Sequence, residues 1–161
     1  MRWQEFLTAC PEFGELADAR FRTDELVILG TVSRDGWPRL SPCELDITAG
    51  ELFFGMMWQS MKALDLKRDP RLVVHSLPSG KDNPGGDIKL WGTGVDISDP
   101  ELRRAYQEAI KARIDWAPDE PEFHLFAFDV DRAAYLKFGG GMTLWQWDPE
   151  RGLRQEVRPD H

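Results

Sequence analysis

Leu26-Val27-Ile28-Leu29-Gly30-Thr31-Val32-Ser33-Arg34-Asp35-Gly36 is the stretch on which the fold turns. Its first part, Leu26 to Val32, is a continuous and partly β-branched apolar run, which reads as a strand. The Asp35-Gly36 pair that follows supplies what a tight hairpin turn needs, because its positive φ values cost Gly nothing and Asp little. The chain returns along Pro38 to Asp46, alternating until Thr48-Ala49-Gly50. It leaves again along Glu51-Leu52-Phe53-Phe54-Gly55-Met56. Parallel neighbours need long crossovers, so connections this short predict an antiparallel three-stranded meander. The same pattern argues against a doubly wound dinucleotide-binding domain, and no Gly-x-Gly-x-x-Gly follows any strand.

On the N-terminal side, Phe13, Leu16, Ala17 and Phe21 recur at helical spacing within Pro11 to Arg22, and Pro11 suits a first turn. On the C-terminal side, Ser60 offers an N-cap to a short helix through Met61, Leu64 and Leu66 that stops at Asp69-Pro70. Arg71 to Ser76 reads as a fourth strand, 79–86 as a loop, and Ile88 to Ile97 as a fifth strand. Gly92 and Gly94 inside that strand suggest a bulge or barrel bend. Pro100 to Ile114 is the clearest helix: Asp99 caps it, and Leu102, Ala105, Tyr106, Ala109 and Ile110 make one apolar stripe. His124 to Val130 and Ala133 to Phe138 read as strands or as one bent strand. After Gly139-Gly140-Gly141, Thr143 to Trp147 is another, and Leu153 to Val157 a short edge. Six or more strands with two or three inserted helices point to a small mixed barrel in one domain over 1–161. Its parts are a helical segment (1–25), barrel strands (26–98), a helix (99–114) and C-terminal strands (122–158).

The 161 residues suit one hydrophobic core. A net charge of −8 repels a phosphate backbone and argues against nucleic acid as a partner. No apolar run is long enough to cross a bilayer, and the N-terminus lacks a signal core, so a cytoplasmic protein without membrane association is expected. Cys10 and Cys43 are isolated, which fits free thiols better than a disulfide. His75, His124 and His161 show no metal-ligand spacing, so no metal site is expected.

Chemistry concentrates in Gln59-Ser60-Met61-Lys62-Ala63. The start of a helix exposes N–H groups and the positive end of the dipole, and a hydroxyl and an ammonium there suit a phosphate. The plainer alternative is that Ser60 only caps the helix and Lys62 is solvated. There is no nucleophile elbow, zinc-protease motif or Cys/His pair at recognisable spacing. Asp129 and Asp131, two apart, are either an acid pair on one strand face or solvated charges.

The order of elements resembles the pyridoxamine 5'-phosphate oxidase-like, FMN-binding split-barrel family. The residues that carry the resemblance are 31–38 (Thr-Val-Ser-Arg-Asp-Gly-Trp-Pro), Leu40-Ser41-Pro42, Leu52-Phe53-Phe54-Gly55, Ser60-Met61-Lys62-Ala63 and Asp69-Pro70-Arg71-Leu72-Val73. Lys89-Leu90-Trp91-Gly92-Thr93-Gly94-Val95 looks like the next barrel strand. The resemblance covers residues 20 to 98 and extends more loosely to Trp147. It implies a mainly β, α+β fold: a split β-barrel of mostly antiparallel strands with two to four peripheral helices. It also implies a homodimer with the cofactor at the subunit seam.

Carried over by position, the resemblance places Ser41, Pro42, Cys43 and Glu44 along the flavin ring, largely through backbone atoms. Phe54 and Gly55 fall beside the ring, and Ser60, Met61 and Lys62 at the phosphate. Lys89 and Trp145 join the cofactor-binding set, with Trp147 or Trp58 as other candidates for an aromatic near the ring. Cys43 is open to a second reading as a half-buried strand residue. The authentic oxidases carry Arg where Ser41 stands and a basic pair where Met61-Lys62 stand. Their C-terminal arginine-rich motif has no match in 153–158. Members using FMN or the deazaflavin F420 therefore resemble this chain better. The acidic tail of F420 would call on Lys62, Lys67, Arg68 and Lys81. The function implied is a flavin-dependent oxidoreductase of a small organic molecule, with a non-catalytic flavin or haem carrier as the alternative.

Overall fold

The computed structural model describes residues 1–159. In chain order the elements are α1 (Trp3–Ala9), α2 (Pro11–Asp24), β1 (Leu26–Val32), β2 (Pro38–Glu44), β3 (Asp46–Thr48), β4 (Glu51–Met57), α3 (Met61–Arg68) and β5 (Arg71–Ser76). They continue with β6 (Asp87–Asp96), α4 (Pro100–Ile114), β7 (Phe123–Phe138), β8 (Met142–Asp148) and β9 (Gly152–Arg158). The sheet runs β2-β1-β5-β6-β7-β4-β3, with β8 and β9 added beyond the second half of β7. Every pairing is antiparallel. This is a split barrel-like α+β fold, as the resemblance implied. No helix among the described residues is long and apolar enough to cross a membrane.

The three-stranded meander does not form. β2 pairs with β1 alone, whereas β4 pairs with β3 and β7. Leu45 separates β2 from β3: its N–H still bonds the Glu25 carbonyl at 3.2 Å, in register with β1, its side chain is buried, and the chain beyond it pairs with β4 instead. β4 then finds in β7 a strand that, like itself, is apolar on both faces. Phe54 packs inward near Phe128, while Phe53 lies beneath α4 with Tyr106, Leu125 and Ala127. Coverage on both sides is why these segments read as continuous apolar runs.

β7 is the bent strand, unbroken over 16 residues. Its register against β6 shifts between Trp91 and Gly92, so that Asp131 is the extra residue of a bulge. Gly92 is required there, since a Cβ at this position would meet the Asp129 carbonyl oxygen at 1.8 Å. The bulge also removes Asp131 from the row of Asp129, whose carboxylate faces Arg2 at 3.6 Å. The two are not an acid pair.

The main core joins Val27, Leu29, Val74 and Leu90 of the sheet to Phe6, Phe13 and Phe21 of α1 and α2. α3 is tied in by a buried charge. Asp65 accepts from Arg39 Nε at 2.6 Å, Thr31 Oγ1 at 3.0 Å and Arg68 Nη2 at 3.2 Å, and Arg68 also donates to the Val32 carbonyl. This network links α3 to β1 and β2.

Candidate functional site

Past its pairing with β3, the edge of β4 at 54–57 faces the free edge of β2 without pairing to it, and a cavity of about 690 Å³ lies across the opening. Pro42 and Cys43 on β2 and Gly55 on β4 form its floor, and Tyr106 of α4 forms one wall. The 115–122 connection supplies Trp116, Asp119 and Glu122 opposite, and Trp58, Ser60 and Lys62 close one end. Pro42 belongs on such an edge because it lacks an N–H to offer a further strand. Its carbonyl accepts from Lys62 Nζ at 2.8 Å, so Lys62 reaches across the split from α3. An ammonium has three N–H donors, and the other two remain for a ligand.

Gly55 and Tyr106 are matched by shape. A Cβ on Gly55 would stand 1.8 Å from Tyr106 Oη, so only glycine admits the phenol to the cavity floor. Burial pushes the Tyr106 hydroxyl upward, as do Cys43, Asp46 and Glu44, against Arg113. It therefore stays protonated, a donor. Burial likewise pushes the Cys43 thiol up to about 11 against the pull of Lys62. Cys43 Sγ faces the Gly55 carbonyl at 3.9 Å as an inert weak donor.

Ser60 stands at the N-cap position with extended backbone, yet its hydroxyl makes no bond to the helix. The Oγ atom is buried and has no partner among the described residues. Leaving a buried hydroxyl unpaired is costly, so its position in the wall of a cavity calls for a ligand oxygen. Ser60, the free first turn of α3 and Lys62 fit a phosphate, and the volume fits a flavin. Glu44, Asp119 and Glu122 line the same cavity and oppose net negative charge.

Six residues expected at the cofactor, Pro42, Cys43, Glu44, Gly55, Ser60 and Lys62, line this cavity; Trp58 does too. The others do not. Phe54 is fully buried in the barrel interior, because the alternation of β4 turns its side chain away. Ser41 is opposite Leu29 on the inward row of β2. Met61 is exposed beside the cavity, not in its wall. Lys89 shares an outward row with His75, Ile28 and Pro42, but three strands from the cavity. Trp145 is held by Phe13 and Tyr135, and Trp147 is buried against Phe6. Lys67 pairs with Asp96 and Arg68 with Asp65, and Lys81 is in an exposed loop, so these three do not extend a cationic track from Lys62. His161 is outside the described residues.

Sequence reasoning passed over Tyr106, Trp116, Asp119 and Glu122. Tyr106 was one member of an apolar helical stripe. Nothing local pairs it with a glycine some fifty residues earlier.

A split barrel with a cavity at its open edge, one end lined by an unpaired hydroxyl and an ammonium, sets the class of this protein. Residues 13–137 match the sequence profile of pyridoxamine 5'-phosphate oxidase, and the chain belongs to that family. No curated protein matches it by sequence. Its fold is similar to that of a pyridoxamine 5'-phosphate oxidase-related, FMN-binding protein from Nostoc punctiforme. That likeness has a TM-score of 0.73 at 19% identity and covers 96% of this chain and 100% of the other. A heme binding protein from Mycobacterium smegmatis is similar at a TM-score of 0.66 and 20% identity. There the match covers 84% of this chain but spans only 57% of the Mycobacterium protein. Campylobacter jejuni ChuZ is similar at 0.72 and 12% identity, covering 93% and 63% of the two chains.

Proposed function

We propose that the cavity across the split holds FMN and that the protein is an oxidoreductase acting on a small organic molecule. The observation that carries this reading is the partnerless Ser60 hydroxyl beside Lys62, at the end of a cavity large enough for a flavin. Ser60 Oγ, the Lys62 ammonium and the first amides of α3 bind the phosphate. The floor of Pro42, Cys43 and Gly55 lies along the ring, and Tyr106 offers it a protonated hydroxyl. When bound, the flavin supplies the hydride or electron transfer; the protein supplies position and electrostatics. Glu44, Asp119 and Glu122, at the same cavity, suit a substrate that is neutral or cationic.

FMN is favoured over F420 because the longer acidic tail of the deazaflavin needs cationic side chains beyond Lys62. Lys67 and Arg68 are already paired. It is favoured over haem because no histidine lines the cavity among the described residues. The working unit in this reading is a cytoplasmic homodimer. Support comes from the outward face of β2-β1-β5-β6, where Leu40 (71% exposed), Ile28, Val73 and Trp91 form an apolar surface. Pro42 belongs both to this face and to the cavity, so a seam there would border the ligand. Contiguous apolar surface of this kind marks interaction sites.

Extraction of freshly purified protein followed by mass spectrometry tests the assignment. FMN at a sizeable fraction of one per chain is expected. Protein that carries haem, or that takes up no flavin when FMN is added, overturns it.

A further inference from the structure

The turn that delivers Ser60 is held from outside the cavity. Met57 O accepts from Ser60 N–H at 3.1 Å, which closes a turn with Trp58 and Gln59 at its centre. Gln59 has φ +57, a left-handed conformation that favours glycine or asparagine and strains glutamine. Its N–H is taken by His124 Nε2 at 3.2 Å, and the imidazole is stacked on Trp58 with ring centroids 4.6 Å apart and planes at 11°. An Nε2 that accepts a hydrogen bond carries no proton, so this arrangement belongs to the neutral ring. Protonation leaves the stack intact, since an imidazolium also lies well on an indole face. It ends the hydrogen bond, because two N–H groups then face each other.

We propose that His124 is a positioning residue for the cavity: as the neutral ring it clamps the Met57–Ser60 turn that presents the Ser60 hydroxyl and the start of α3 to a ligand phosphate, and protonation releases the clamp. This rests on the flavin reading for the identity of the ligand only. The groups facing His124 are Lys67 from α3, Asp96 from β6 and Arg103 from α4, with Glu120 of the 115–122 connection lining the same neighbouring cavity of about 540 Å³. Lys67 and Asp96 pair at 3.2 Å, and Arg103 and Glu120 at 2.7 Å, so each carboxylate near the ring is accompanied by a cation that offsets its pull on an imidazolium. Burial, then Lys67 and Arg103 against Asp96, hold the ring below its ordinary value. The clamp is therefore closed at neutral pH and opens in acid.

The test has two arms. In ligand-free protein, NMR titration between about pH 5 and 8 is expected to show the Gln59 amide moving with the same midpoint as the His124 ring, below about 6.5. A Gln59 amide indifferent to that titration, or a ring that stays neutral down to pH 5, overturns the proposal whether or not flavin binds. In the second arm, FMN affinity is compared at pH 7.5 and 5.5 in wild type, His124→Gln and Gln59→Gly. The glutamine oxygen accepts the same N–H without titrating, and glycine adopts the turn without a clamp. Wild type is expected to lose about threefold to tenfold more affinity in acid than either variant, the worth of one hydrogen bond. Titration of the FMN phosphate is common to all three and cancels. Identical pH profiles refute the clamp. If Gln59 follows His124 yet no protein binds FMN, the clamp stands and the flavin reading falls.

Discussion

Asp65→Ala should loosen the whole phosphate-binding end of the molecule. The Asp65 side chain is 1% exposed and accepts from two guanidinium groups and a buried threonine hydroxyl. Removing one partner of a buried ion pair costs about 3–5 kcal/mol, because the charge left behind loses its compensation. Here the partners can turn toward water: the Arg39 and Arg68 side chains keep 32% and 38% of their surface. We therefore expect about 2–4 kcal/mol, towards the lower end of which the Thr31 hydroxyl alone contributes about 1 kcal/mol. At about 2–4 °C per kcal/mol for a chain of this length, a loss near 3 kcal/mol lowers Tm by about 6–12 °C. Urea unfolding of the flavin-free protein, with the slope m compared between variants, measures the loss. Pairing it with Arg39→Leu completes a double-mutant cycle in which the two changes together should cost at least about 1 kcal/mol less than their sum. A loss below about 1 kcal/mol with unchanged m, or strict additivity with Arg39→Leu, refutes the idea that this network anchors α3.

Acid should destabilise the protein through the same group. Burial alone would raise the Asp65 carboxyl, but the hydrogen bonds from Arg39, Thr31 and Arg68 outweigh it and hold it below the ordinary range. Its contribution is complete above the unfolded value of about 3.9 and is lost as pH falls through the lower folded value. Asp69, drawn to about 2 chiefly by its hydrogen bond from Arg71, has the same sign. Unfolding monitored from pH 5 to 2 should show this loss in wild type and a smaller one in Asp65→Asn. Gly55→Ala should cost about 1–3 kcal/mol, because the added methyl displaces Tyr106 from its contact with Gly55; a variant with unchanged Tm speaks against that contact. Cys10 and Cys43, both buried and with raised thiol values, should resist a thiol reagent at pH 8 until the protein is unfolded, when two thiols react. Rapid labelling of native Cys43 contradicts its placement under the cavity.

The elements were legible wherever a local signal sufficed. Asp35-Gly36 marks its hairpin, Asp99-Pro100 opens α4 with the Asp99 carboxylate accepting from the Glu101 N–H at 2.8 Å, and Gly92 foretells the bulge. Neighbour relations were less so. The short turn at Thr48-Ala49-Gly50 suggested that β4 lies beside a second strand running from Pro38 to Asp46, but that strand breaks at Leu45 and β4 pairs with β3 and β7. The cavity is a product of that break, so its outline was invisible in the chain. Ser60 and Lys62 stood out because helix-start chemistry is local. Phe54 lies in the core instead of the cavity wall, and in a run buried on both faces parity cannot say which phenylalanine turns inward. Tyr106, Trp116 and His124 meet the site through tertiary packing alone.

Isothermal titration with FMN and with riboflavin, in wild type and in Lys62→Ala, isolates the phosphate. A charge-assisted hydrogen bond contributes about 1.5–3 kcal/mol, so FMN should bind wild type at least about tenfold more tightly than riboflavin does. Lys62→Ala should bring the two ligands close to equal affinity by weakening FMN alone. Equal affinities in wild type, or a preference for FMN that survives loss of the ammonium, would contradict a phosphate held between Ser60 and Lys62.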